Sequence, residues 1–266
     1  MSKRPSKCQL AEMTYTEAEE AFKSNPVVLV PMGSTEQHGP QCPLGDFRIT
    51  AALADAVARE TSSIVTPVIP YSEGAAARDF AGAIPLRPET LHAIVWDVCA
   101  ALHDFGLDHI ILFCGDHGNV PILERMIRQF KEERSLRLGM VEPLHWPTKS
   151  FLEQVYGVPS PQIAHGGDFI TSVNLHLFPN DVRLDLMQEP QRKDFQGWYA
   201  ANFNQLTVDG RTLHMAVDYR EISPNGVLGR ADMASKDVGA AIMQEFIRTG
   251  VDIVNRFRTM RTRYAK

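Results

Sequence analysis

Short continuous apolar runs alternate along this chain with longer stretches whose apolar residues recur three and four positions apart. Val27-Val28-Leu29-Val30, Ile64 to Tyr71, His109 to Phe113 and Leu136 to Pro143 are runs of the first kind. Such runs predict strands buried on both faces, the pattern of a parallel sheet. Helical spacing follows them at 47–60, at 88–106, after Asn119 and from Ser235 to about Arg263. In 88–106, Pro88 suits a first turn, Leu91, Ile94, Val95, Val98 and Leu102 form one stripe, and Gly106 can close the helix. Ile122, Leu123, Met126, Ile127 and Phe130 form the stripe after Asn119, and Val238, Ile242, Phe246, Val254 and Phe257 the last one. An amphipathic helix is expected within 9–23, and another from near Asp168. Repeated strand, loop and helix units predict an α/β fold with a mostly parallel central sheet. No linker, repeat or low-complexity tract divides the chain, so a single domain over 1–266 is expected.

Three of the expected strand ends open into loops rich in metal donors. Val27 to Asp46 (VVLVPMGSTEQHGPQCPLGD) holds Glu36, His38 and Asp46, and 114–119 (CGDHGN) holds Asp116 and His117. His165 and Asp168 follow in HGGD. In an extended segment residues two apart project to the same side, so Glu36 and His38 can converge. Asp46 can return to them from the start of the next helix. Carboxylates and imidazoles together suit zinc, manganese or iron, and α/β sheets bind ligands at the carboxyl ends of their strands. The competing reading has solvated loop acids and a histidine packed in a turn.

Two other stretches stand out. The loop 72–87 is long and rich in small residues, as functional loops often are. Between 180 and 220 the chain is polar, and no element is assigned there.

With 266 residues the chain can bury a sizeable core, and 44% hydrophobic with 22% charged residues is ordinary for a globular protein. The net charge of −5 argues against a nucleic-acid or anionic-membrane surface. No apolar run approaches the ~20 residues that cross a bilayer. The opening MSKRPSKCQLAEMTYTEAEE lacks an apolar leader core, so a cytoplasmic location is expected. Cys8, Cys42, Cys99 and Cys114 are widely spaced and read as reduced thiols. Only Cys42, inside the donor loop, stands where it can also reach a metal.

GSTEQHGPQCPLGD resembles the creatininase (creatinine amidohydrolase) signature G-S-x-E-Q-H-G-x-H-L-P-x-x-T-D. The likeness continues at CGDHGN (family N-G-H-G-G-N), at HGGDFITS, 165–172 (H-A-G-E-x-E-T-S), and at NGVLGRADMASKDVG, 225–239. The resemblance implies a three-layer α/β/α sandwich of creatininase type, and a homo-oligomer. Carried over residue by residue, it implies two divalent ions (zinc, manganese or iron), one held by Glu36, Asp46 and Asp116, the other by His38, Asp46 and Asp168. His165 would act on the tetrahedral intermediate or the leaving nitrogen. Glu73 and Arg78 would stand near substrate or pair on the surface, and Trp146 would wall the pocket or simply pack.

The departures bear on the chemistry. Asp116 replaces the family histidine, with His117 one place later as alternative ligand or substrate contact, and one ion rather than two is then an open alternative. Asp168 is one methylene short of the family glutamate, while Gly118, Ala164 and Ile170 stand where acids are found in the family or in creatininase proper. The expected activity is metal-dependent hydrolysis of an amide, cyclic amide or formamide C–N bond in a small polar substrate. The alternatives are C–C hydrolysis of a cyclic ketone and a non-catalytic binding protein on the same fold.

Overall fold

All strands of the main sheet run the same way. β1 (Val28–Met32) and β3 (Ile110–Cys114) pair at its centre, β2 (Ile64–Val65) and β4 (Gly139–Val141) flank them, and the order is β2-β1-β3-β4. The computed structural model describes residues 7–159 and 164–264. Residues 1–6 of the start read as leader-free lie outside the described residues.

Successive strand residues point to opposite faces, and here both faces are apolar. Val27, Leu29, Ile111 and Phe113 meet α2 (Phe47–Thr61), α5 (Lys149–Tyr156), α6 (Asp168–Leu177) and α8 (Lys236–Phe257). Val28, Val30, Met32, Ile110 and Leu112 meet α3 (Pro88–Asp104) and α4 (Val120–Arg134), with α1 (Tyr15–Phe22) at the margin. Each fully buried side chain of this size stabilises the fold by about 1.5–3 kcal/mol. Helices on both sides are therefore required, and the architecture is the three-layer α/β/α sandwich. Among the described residues no helix is long and apolar enough to cross a membrane.

Four stretches differ from the sequence pattern. The run Ile64–Tyr71 pairs only at Ile64–Val65, because Pro67 and Pro70 have no N–H to give. Ile69 alone rejoins the sheet, its N–H donating to Pro31 O at 3.0 Å. The run from Leu136 forms β4 only from Gly139, since Leu136 bridges antiparallel to Arg263. That returning tail also explains why α8, capped by Ser235, ends at Phe257 instead of near Arg263.

Residues 180–220, left without an element above, contain a second sheet. β5 (Tyr199–Asn202), β6 (Gln205–Val208) and β7 (Arg211–His214) form an antiparallel meander over its own small core of Ala200, Leu206, Val217 and Ile222. Asp209 and Gly210 both have positive φ, 48° and 73°, as the two-residue turn that matches strand twist requires. A four-residue helix α7 (Tyr219–Ile222) follows.

Register sets the level of the donor loops. β1 and β3 pair from Val28 with Ile110 to Met32 with Cys114, so both chains leave the sheet together. Two glycines let α2 close against this edge. A Cβ on Gly33 would stand 2.3 Å from Asp46 Oδ1 and 2.7 Å from the Phe47 backbone, and one on Gly115 would stand 2.1 Å from Thr50 Oγ1. Gly33→Ala is expected to cost about 1–3 kcal/mol, the range for overpacking. Urea denaturation checks this, and an unchanged midpoint means the close approach is not required.

Candidate active site

The carboxyl edge of the main sheet opens into a cleft of about 630 Å³, within the range of small-molecule sites. Its floor carries Glu36, His38, Asp46 and Asp116, its rim His117, Glu142 and His145, and its roof His165, Tyr219 and the β5–β6 turn, Asn202–Gln205. Thus the donors of the first two loops meet, together with a roof from the segment that the sequence pattern left unassigned.

Hydrogen bonds fix the Glu36 loop from three sides. Gly45 N–H donates to Glu36 O at 2.7 Å and Ser34 N–H to Asp46 Oδ1 at 2.7 Å, folding the loop on itself. Gln41 Nε2 donates to Gly166 O at 2.8 Å and to Thr171 Oγ1 at 3.1 Å. Gln37 Nε2 donates to Gly226 O at 3.2 Å. The segments around 165–171 and 226 are thereby tied to the donor loop.

Electrostatics in the floor run against the apo state. Burial pushes the Glu36 carboxyl well above its ordinary range, and the charges of Asp116, Asp46 and Glu73 push it further. Asp46 is raised by burial and then by Asp116, against the Ser34 N–H, which holds it down. Asp116 is raised by burial, opposed by the Ser72 hydroxyl and the Gly118 N–H, which donates to its Oδ1 at 2.7 Å. Burial, then the neighbouring His165, holds the His38 imidazole well below its usual value. His38 Nε2 and Asp116 Oδ2 are among the buried atoms that have no hydrogen-bond partner among the described residues. Donor atoms of Glu36, His38 and His165 lie within 4.8 Å of one another. Crowded acids, a neutral imidazole and unpartnered donors fit a divalent cation.

His165 is held at both ring nitrogens. Nε2 donates to the Gln37 carbonyl at 2.5 Å, which leaves Nδ1 to accept from the Tyr219 hydroxyl at 2.7 Å. The ring stacks on His38 with centroids 4.6 Å apart. Burial pushes its pKa down to about 4, so at neutral pH the ring is uncharged and Nδ1 is a hydrogen-bond acceptor. Tyr219, in α7, is a site residue that the sequence reading missed. The turn signal Asp209-Gly210 between alternating residues was there to place its segment, but nothing local marked the tyrosine.

The remaining candidates fall in different places. Glu73 lines the cleft, with its carboxyl raised by burial and by Asp116. His117 lies exposed at the rim, its Nδ1 donating to Glu142 Oε2 at 2.8 Å. Three expected residues do not line the cleft. Asp168 is buried at the start of α6, where its Oδ1 accepts the Met233 N–H at 2.7 Å. Arg78 is exposed and turns its Nε to Ala75 O at 2.9 Å. Trp146 packs edge-on to Phe113 and Phe246, so it belongs to the core. The four cysteines are free thiols, and Cys42 is buried against Thr171 with its pKa pushed up to about 11.

The creatininase (creatinine amidohydrolase) family profile matches residues 11–254. A mycofactocin precursor peptide peptidase of Mycobacterium ulcerans is 27% identical over 258 residues, covering 93% of this chain and 92% of the relative. A 3-dehydro-scyllo-inosose hydrolase of Thermotoga maritima is 24% identical over 274 residues, 96% and 86% of the two chains. A creatinine amidohydrolase of Pseudomonas putida is 25% identical over 262 residues, 92% and 95%. A solved creatininase variant of Zn–Zn type superposes with a TM-score of 0.76 at 21% identity, over 94% of this chain and 97% of that one. A manganese creatininase gives 0.75 at 21% identity, over 94% and 98%. On the near-complete span of the family match, the chain belongs to the creatininase family.

Proposed function

We propose that this chain is a metal-dependent hydrolase, one catalytic domain over 1–266, that cleaves a C–N bond of a small polar substrate. The observation that carries the reading is the set of crowded acids on the cleft floor beside the unpartnered His38 Nε2 and Asp116 Oδ2. Glu36, His38, Asp46 and Asp116 would hold the cation. Their oxygen-rich set suits manganese or iron as well as zinc. A second ion would have to draw on Asp168, whose Oδ1 is committed to the Met233 N–H. When bound, such an ion polarises a carbonyl oxygen and acidifies water.

The chain's own groups supply the rest. Tyr219, Glu73 and the Asn202–Gln205 turn line the cleft together with the floor acids. His165 is kept in one tautomer by the Gln37 carbonyl, with Nδ1 facing the Tyr219 hydroxyl. The Tyr219 hydroxyl, donating to the uncharged Nδ1, is placed to relay a proton between the cleft and His165, and a charge developing nearby would have to offset the burial that disfavours the imidazolium.

A second reading has one specific support. Gly118, Ala164 and Ile170 stand at positions where acids occur in the family or in creatininase proper, and all three line this cleft. A wall without those acids suits a carbon leaving group as well as nitrogen, and the Thermotoga maritima relative is named a hydrolase of an inosose. Release of amine or ammonia from a panel of amides, formamides and cyclic ketones separates the two.

Carboxyls whose pKa rises on folding stabilise the fold below about pH 4, and that contribution is lost as pH rises. A bound cation favours the charged forms and reverses the sign. Chelator-treated protein is therefore expected to melt lower at pH 8 than at pH 5, and manganese or zinc at ~100-fold its Kd to restore about 3 kcal/mol. A melting profile insensitive to both pH and metal rejects the cation site. Asp46→Asn and His38→Ala are each expected to remove the floor ion and turnover, read as a lower metal-to-protein ratio by elemental analysis and as loss of product formation. Tyr219→Phe keeps the ring against Phe203 and His165 and is expected to lower kcat about 100-fold with an unchanged melting temperature. Full activity in that variant would leave the proton path without support.

A further inference from the structure

A second convergence of donors lies at the mouth of the cleft. β3 and β4 pair with Phe113 opposite Val141. The chain leaving β3 therefore brings His117 to the level at which the chain leaving β4 brings Glu142. Glu142 precedes a single 3-10 turn, Pro143–His145, and residues three apart eclipse in such a turn, so His145 stands over Glu142. One oxygen, Glu142 Oε2, lies 2.8 Å from His117 Nδ1 and 3.0 Å from His145 Nδ1. The two imidazole rings meet edge to face, 5.0 Å apart. All three donor atoms lie within 4.8 Å of one another.

The arrangement is poorly accounted for by stability. His117 and His145 are 68% and 60% exposed, and exposed ion pairs contribute little. Two imidazoles and a carboxylate aimed at one point are a donor set of zinc, with the fourth position open. Ligands ~2.0–2.1 Å from a tetrahedral zinc stand about 3.3 Å from each other. The two Glu142–imidazole separations need to open by only a few tenths of an ångström, and the two Nδ1 atoms already lie within 4.8 Å of each other.

We propose that His117, Glu142 and His145 form a peripheral site for a zinc-class divalent cation at the cleft mouth, distinct from the Glu36, His38, Asp46 and Asp116 cluster. Each imidazole binds through Nδ1 and carries its proton on Nε2. The open position takes water or a carboxylate or carbonyl oxygen of a molecule entering the cleft. The donors come from the ends of two neighbouring strands, so the site is assembled with the sheet and needs no lid or loop closure.

The test is equilibrium dialysis of the whole protein against zinc, with cobalt substitution as a spectroscopic readout of coordination. Wild type is expected to bind one ion more than His145→Ala or Glu142→Gln. His38→Ala is expected to lose the floor ion and keep the rim ion, so the two readings fail separately. Losing an outer partner of a metal ligand already weakens binding about 10–100-fold, so loss of a ligand should weaken the rim site at least tenfold. Equal stoichiometry and affinity in wild type and His145→Ala overturns the proposal. Rim binding weaker than about 1 mM in wild type overturns it too, as an adventitious ion only. The substituted side chains lie at the surface, and unchanged melting curves in His117→Gln and His145→Ala confirm that any loss reads the ligand.

Discussion

Acid side chains in a dry place repel one another, and most of what surrounds the cleft floor serves to keep them there. Two like charges about 5 Å apart at an effective dielectric of about 20 repel by about 3 kcal/mol. Glu36, Asp46 and Asp116 would relax apart if their backbones could. They cannot, because β1 and β3 are locked in register and α2 is seated against both strand ends through Gly33 and Gly115. The floor is thus a site whose charge is set by the sheet, and a bound cation is what the proposed function calls on to neutralise it.

The same constraint orders the cleft from floor to mouth. Above the acids, the His38 and His165 rings stack, and His165 leads to Tyr219. The β5–β6 turn lines the same cleft as the His117, Glu142 and His145 rim. An acidic floor, an aromatic and imidazole middle and a polar mouth together favour substrates rich in hydrogen-bonding groups over apolar ones.

The sequence made the central sheet and floor legible because both are local. A five-residue apolar strand followed within a few positions by Glu36, His38 and Asp46 carries its own geometry, and the register of two such units does the rest. What escaped depends on distant contacts. The resemblance implies Asp168 as a ligand, and in the structure its Oδ1 accepts the N–H of Met233, 65 residues away. Trp146 and Arg78 sit next to cleft segments in the chain, but packing against Phe246 and the Ala75 carbonyl turns them elsewhere. Tyr219 was invisible for the opposite reason, since only the fold of 199–222 brings it to His165. Prolines 67 and 70 were readable, and their missing donors explain why β2 is short.

The small antiparallel meander has its own apolar core, and Tyr219 and the turn at Asn202–Gln205 bring it to the cleft. On the proposed function, shape selection and proton handling would fall to this one unit, while charge falls to the scaffold beneath. Grafting a different hairpin of equal length between residues 199 and 214 would reprogram what enters the cleft and leave the acids untouched. Shifting α7 by a single residue would instead break the Tyr219 to His165 hydrogen bond and leave the acids in place.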